Sequence, residues 1–169
     1  MIALVLGGAR SGKSSVAEGL ATSFPPPVTY VATMETAGDP ELEARVDAHR
    51  RRRDPQWVTV ESGPDLAGLL RTLSGTVLVD SLGPWAAAHL EDVTREGSTL
   101  CAALAERDGD TVIVSDEVGL AVHPSTAEGR RFRDALGTLN HAVSVVADRA
   151  FLVVAGRPLP LPEVGVPTL

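Results

Sequence analysis

The chain carries one cysteine and one lysine in 169 residues. A lone Cys101 cannot close an internal disulfide or build a cysteine-based metal cluster, and within Thr99-Leu100-Cys101-Ala102-Ala103-Leu104 it reads as a small apolar residue of a helix. No run approaches the roughly 18 apolar residues of a membrane-spanning helix. An excess of basic charge is missing as well. Fifteen Lys and Arg against 22 Asp and Glu leave a net charge of −7, which disfavours nonspecific nucleic-acid binding. The opening apolar stretch, Ile2 to Leu6, lacks a basic leader and a cleavage site, so a cytoplasmic protein is expected. There is no internal repeat, low-complexity segment or linker, and residues 1–169 are expected to form a single domain able to bury its own core. What is left is a soluble enzyme acting on a small molecule.

The solitary lysine is informative because of its position. Every other basic residue is Arg, while Lys13 stands in Gly7-Gly8-Ala9-Arg10-Ser11-Gly12-Lys13-Ser14, a complete G-x-x-x-x-G-K-[ST] phosphate loop. Glycines allow successive backbone N–H groups to turn toward an anionic oxygen, and the helix that follows aims its positive end at the same point. A compact ammonium fits among phosphates where a planar guanidinium does not. Lys13 is thus expected on the β- and γ-phosphates of a nucleoside triphosphate, with Ser14 on Mg²⁺. The bland reading, a glycine-rich turn from strand to helix, needs neither the lysine nor the serine.

Along the chain, apolar β-branched runs alternate with helical patterns. Ile2–Leu6, Val28–Ala32, Trp57–Glu61, Thr76–Asp80, Thr111–Ser115 and Phe151–Ala155 read as strands, the last closing the sheet. Helices are expected from Ser15 to Ala21, from Pro40 through ELEARVDAHRRRR, and over Pro64–Leu73, Pro84–Leu90, Leu100–Arg107 and Glu128–Ala147. The tail with Pro158, Pro160, Pro162 and Pro167 is expected to run extended over the surface. This alternation implies an α/β fold: a mostly parallel central sheet, P-loop NTPase-like, flanked by helices on both faces. Ligands in such folds lie at the carboxyl ends of the strands, where the phosphate loop, Asp80 and Asp116-Glu117 all stand.

Asp80 ends an apolar strand and is the expected second metal-site residue, with Glu117 in reserve; an Asp there can also simply cap the next turn. Arg45, His49 and Arg53 fall at i, i+4 and i+8 of a helix, so the imidazole lies between two guanidiniums. Fixed cations keep an imidazole neutral and bind phosphate oxygens, which suits a nucleophile toward phosphorus. A solvated basic run with an incidental histidine has the same spacing.

Taken together, GGARSGKS, YVAT, DPELEARVDAHR, WVTVE, VLVDSL, SDEVG, RRFRDALGTLN and LVVAGRPL resemble the bifunctional adenosylcobinamide kinase / adenosylcobinamide-phosphate guanylyltransferase family of cobalamin biosynthesis, in the right order from residue 2 to about 159. The resemblance implies phosphorylation of the corrinoid adenosylcobinamide, then transfer of GMP from GTP through a guanylylated histidine at His49, with ATP and GTP as substrates and Mg²⁺. It further implies a guanine-nucleotide site lined by Gly7 to Ser14, Val31, Ala32, Thr33, Arg50, Arg51, Arg52, Arg53, Glu61 and Asp80, in a homotrimer. Asp116, Ala121, His123 and His89 depart from the family pattern, in the part expected to touch the corrinoid or a neighbouring subunit. Other readings are a phosphate-loop kinase for a different small molecule, with His49 incidental, and a nucleotide-dependent regulatory NTPase. Neither a Thr-bearing switch segment nor an N-K-x-D signature supports the latter.

Overall fold

The computed structural model describes residues 1–34 and 54–162. Their elements in chain order are β1 (Ile2–Gly7), α1 (Lys13–Thr22), β2 (Val28–Ala32), β3 (Val58–Glu61), α2 (Leu66–Thr72), β4 (Thr76–Asp80), α3 (Leu82–Ala88), α4 (Val93–Glu106), β5 (Thr111–Asp116), α5 (Ala127–Val146), β6 (Arg149–Val154) and β7 (Arg157–Leu161). One seven-stranded sheet runs β3-β2-β4-β5-β1-β6-β7. Strands β1 to β6 are parallel, as their continuous apolar sequences require, and only β7 is antiparallel.

Alternate residues of β1, β2, β4 and β5 feed two cores. Leu4, Leu6, Val31, Val77, Val79 and Ile113 join α2 to α5 on one face, through Leu66, Leu70, Trp85, Leu100, Leu136 and Leu139. On the other face Val5, Tyr30, Leu78, Val112 and Val114 pack on Ala17 and Ala21 of α1. The period of two that sends neighbours to opposite faces thereby buries both sides of the sheet.

Several expected boundaries move, each for a local reason. Helix α4 starts at Val93 rather than near Leu100, although Thr94, Gly97, Ser98 and Thr99 are poor helix formers. Packing overrides propensity here: a Cβ on Gly97 would sit 3.0 Å from Leu139 Cδ1 of α5, so the missing side chain is what lets the two helices approach. Helix α3 starts at Leu82, two residues before Pro84, because a first-turn N–H has no helical partner and its loss costs little. Helix α2 begins at Leu66, with the Asp65 carboxylate accepting from Gly68 N at 2.7 Å. Trp57 precedes β3, its N–H bonded back to Asp54 O at 3.1 Å.

The larger correction concerns the sheet edge, which β6 does not close. Ala155 (φ 50°) and Gly156 (φ 77°) form a tight two-residue turn, and the expected surface tail returns as β7. Pro158 lies opposite Val153 and Pro160 opposite Phe151. Two residues apart, both turn their missing N–H the same way, toward the outer edge, where no ladder bond is lost and further strand pairing is blocked.

Candidate nucleotide and phosphoryl-transfer site

The site assembles where β1, β4 and β5 end. The loop from Gly7 to Ser14 needs its glycines for different reasons. A Cβ at Gly7 would run into Ser11 Oγ and Val153 O. Gly12 caps α1 at φ 90°, and a Cβ there would meet Gly156 Cα at 3.1 Å. Arg10 also turns left-handed, at φ 57°. Gly156 N donates to Ser11 O at 2.7 Å, so the β6–β7 turn braces the phosphate loop from outside. Nothing in the local sequence around the loop announces that support.

Helix α1 begins at Lys13, which directs its first-turn N–H groups into the loop. Lys13 Nζ donates to Gly8 O at 3.3 Å and forms an ion pair with Asp116 Oδ1 at 2.6 Å. Its side chain is 13% exposed, that of Asp116 32%. The sequence puts Asp116 at a ligand-facing strand end and, by the family resemblance, in the part expected to touch the corrinoid or a neighbouring subunit, not among the nucleotide-binding residues. The sequence signal is the apolar run Val112-Ile113-Val114 leading into Ser115-Asp116; only the structure pairs that strand with the loop strand, with Gly7 and Asp116 as register partners.

Ser14 and Asp80, separated by 66 positions in the chain, meet at 3.5 Å between Oγ and Oδ1. Tyr30 OH donates to the other carboxylate oxygen at 2.9 Å and fixes its plane. One hydroxyl and one carboxylate are hard oxygen donors that fit Mg²⁺, which takes few protein ligands and shares the phosphates. Among the described residues no three His, Cys, Asp or Glu side chains gather as a metal cluster. Glu117, the reserve candidate, is turned to another task. Its Oε1 accepts from Gly119 N at 2.6 Å and Leu120 N at 3.2 Å, which caps the turn after β5.

The remaining sequence-predicted residues divide. Val31 is fully buried in the core, and Ala32 ends β2 beside both Asp80 and Glu61. Thr33 braces the cis peptide after Asp80: its Oγ1 donates to Ser81 O and accepts from Ser81 N. Glu61 ends β3 at the sheet edge and is exposed. Arg45, His49, Arg50, Arg51, Arg52 and Arg53 lie outside the described residues.

The family model for cobinamide kinase / cobinamide phosphate guanyltransferase matches residues 3–161. The chain belongs to that family. Among curated relatives, the bifunctional adenosylcobalamin biosynthesis protein CobP of Pseudomonas aeruginosa is 40% identical, over 94% of this chain and 95% of its own. The bifunctional adenosylcobalamin biosynthesis protein CobU of Salmonella typhimurium is 34% identical, over 92% and 97%. A structure from Pyrococcus horikoshii OT3, PH0250, superposes with a TM-score of 0.56 over 98% of this chain and 87% of that one, at 8% identity, and so shares the fold alone. The family is one of kinases and guanyltransferases.

Proposed function

We propose that this chain performs both reactions of its family on one nucleotide-binding domain. It phosphorylates the side-chain hydroxyl of adenosylcobinamide with a nucleoside triphosphate, ATP or GTP, and then transfers GMP from GTP to the resulting phosphate. The observation that carries the reading is that, at the carboxyl ends of the strands, the phosphate loop's Lys13 meets Asp116 and the next residue, Ser14, meets Asp80. In phosphoryl transfer little covalent work falls to the protein, so positioning and charge stabilisation dominate. The loop amides and Lys13 would hold the β- and γ-phosphates, and Ser14 and Asp80 would hold Mg²⁺, whose charge offsets that of the phosphates.

For the second reaction we assign His49 as nucleophile. A neutral imidazole nitrogen attacks the α-phosphorus of GTP, a P–N bond forms, the bond to the bridging oxygen breaks, and pyrophosphate leaves. The substrate phosphate then attacks the same phosphorus and displaces the imidazole. Arg50 to Arg53 and Glu61 are assigned to the guanine nucleotide on the family resemblance. On the same ground we infer a cytoplasmic enzyme that works as a homotrimer.

The deciding experiment uses α-labelled GTP with Mg²⁺. Wild type should gain one GMP, labile to acid and stable to base, with pyrophosphate as co-product. His49→Ala should lose the label and the guanylyl transfer while keeping most of the kinase step; His89, His123 and His141 serve as control positions. A His49→Ala protein that still labels removes the assignment. Wild type that phosphorylates its substrate and never labels leaves only a small-molecule kinase.

A further inference from the structure

The ion pair between Lys13 and Asp116 is unusual in being built from three directions around a cation that the proposed chemistry reserves for phosphate. Asp116 ends β5 in register with Gly7, where the loop begins, and the next residue, Glu117, donates its N–H to Gly7 O at 3.1 Å. Asn140 of α5, itself 7% exposed, donates from Nδ2 to Asp116 O at 3.0 Å and accepts from Ser115 Oγ at 2.6 Å. These bonds fix the backbone that carries the carboxylate. Room for its other oxygen is left by Gly83 of α3, where a Cβ would stand 2.9 Å from Asp116 Oδ2. The carboxylate therefore sits on a fixed base, in a space kept open for it, at 2.6 Å from Nζ.

We propose that Asp116 is a positioning residue that holds the Lys13 ammonium at the mouth of the phosphate loop and competes with nucleotide phosphate for it, thereby setting nucleotide affinity. A half-buried charge needs a partner, and here the carboxylate and Gly8 O are the acceptors of Lys13 among the described residues. An arriving phosphate has to displace the carboxylate and then lies near a negative charge that has lost its counter-ion. Both effects oppose anion binding, so neutralising Asp116 tightens it. Asn has nearly the same shape, and it leaves the bonds to the Asp116 backbone in place and fits the space beside Gly83.

The inference rests on Lys13 being a phosphate ligand, and a double-mutant cycle separates the two. Binding of GDP in EDTA is measured by titration calorimetry for wild type, Asp116→Asn, Lys13→Ala and the double variant, with thermal melts to confirm folding. Asp116→Asn should bind roughly two- to fivefold more tightly, the range expected for removing a partly exposed ion-pair competitor. Asp116→Ser should shift affinity in the same direction, and Asp116→Glu should stay near wild type. In the Lys13→Ala background the Asp116→Asn effect should vanish, because the carboxylate acts through the ammonium. Unchanged or weaker binding by Asp116→Asn, with Lys13→Ala weakened, overturns the inference and leaves the loop reading intact. Tightening that persists without Lys13 overturns it too. GDP affinity untouched by Lys13→Ala instead removes the loop reading itself.

Discussion

Two cations stand at opposite ends of the sheet and are held in opposite ways. At the amino ends of β4 and β5, Arg107 donates to Thr111 Oγ1 at 3.1 Å, Leu70 O at 3.3 Å, Leu73 O at 2.6 Å and Gly75 O at 2.6 Å. Its fork is spent on the last carbonyls of α2 and on the entry to two central strands. Burial lowers its pKa below the ordinary arginine value, yet a guanidinium keeps its charge. At the carboxyl ends Lys13 faces one carbonyl and one carboxylate, partners that phosphate oxygens can replace. The difference teaches what makes a cation structural or functional. The fixed planar donor set is consumed by the scaffold, whereas the point charge on a flexible stem stays exchangeable.

The sharpest way to break the comparison is at Lys13. Lys13→Ala should lower triphosphate-dependent phosphorylation by about 10²–10³-fold, the scale for losing a positioned charge on a transferring group, with little change in melting temperature. Lys13→Arg should also be poor, since a planar fork cannot replace the ammonium inside the loop. Near-normal turnover in either variant takes Lys13 out of the chemistry.

Asp80→Asn is expected to come next. Its carboxylate meets Ser14 and Tyr30 at the end of a buried strand, so Asn can keep the packing while weakening Mg²⁺ binding about 10–100-fold. Activity titrated against Mg²⁺ should show the midpoint displaced; superimposable curves for the two proteins exclude Asp80 from the metal site.

Arg107 should give the smallest change in turnover and a change of another kind. Arg107→Met removes the guanidinium donor from three backbone carbonyls and should cost on the order of 2–3 kcal/mol of stability, read as a lower urea midpoint, while activity per folded molecule stays near wild type. Arg107→Lys should recover only part of this, because three donors on one nitrogen cannot span the same acceptors. Loss of activity without loss of stability would erase the contrast between the two ends.

How far the sequence could be read depended on the range of the signal. Continuous apolar runs marked β1, β2, β4 and β5 within a residue or so, since a strand buried on both faces writes its burial into consecutive positions. The phosphate loop was legible because its chemistry needs fixed residue types at fixed spacing. Helix α4 was underestimated because Gly97 pays its propensity cost against a partner 42 positions away, Leu139. The prolines of the tail announced its extended, exposed course, but not that it pairs with β6, because only the presence of β6 beside it makes an edge strand possible.

By itself, then, the sequence determined the parallel α/β class, the loop with Lys13 and Ser14, and Asp80 at the end of its strand, since each is encoded in a short stretch whose local pattern has one physical solution. Tertiary structure alone decided that Asp116 lies against Lys13, that Tyr30 orients Asp80, and that Gly156 supports the loop. Those pairings depend on strand order: β5 lies between the loop strand β1 and the Asp80 strand β4, β2 pairs with β4 on its other side, and β6 and β7 follow beyond β1. Neighbours across a sheet leave no mark in the spacing of residues along the chain. The choice among several polar groups at the strand ends is made by which of them the packed helices leave pointing at the same few ångströms of space.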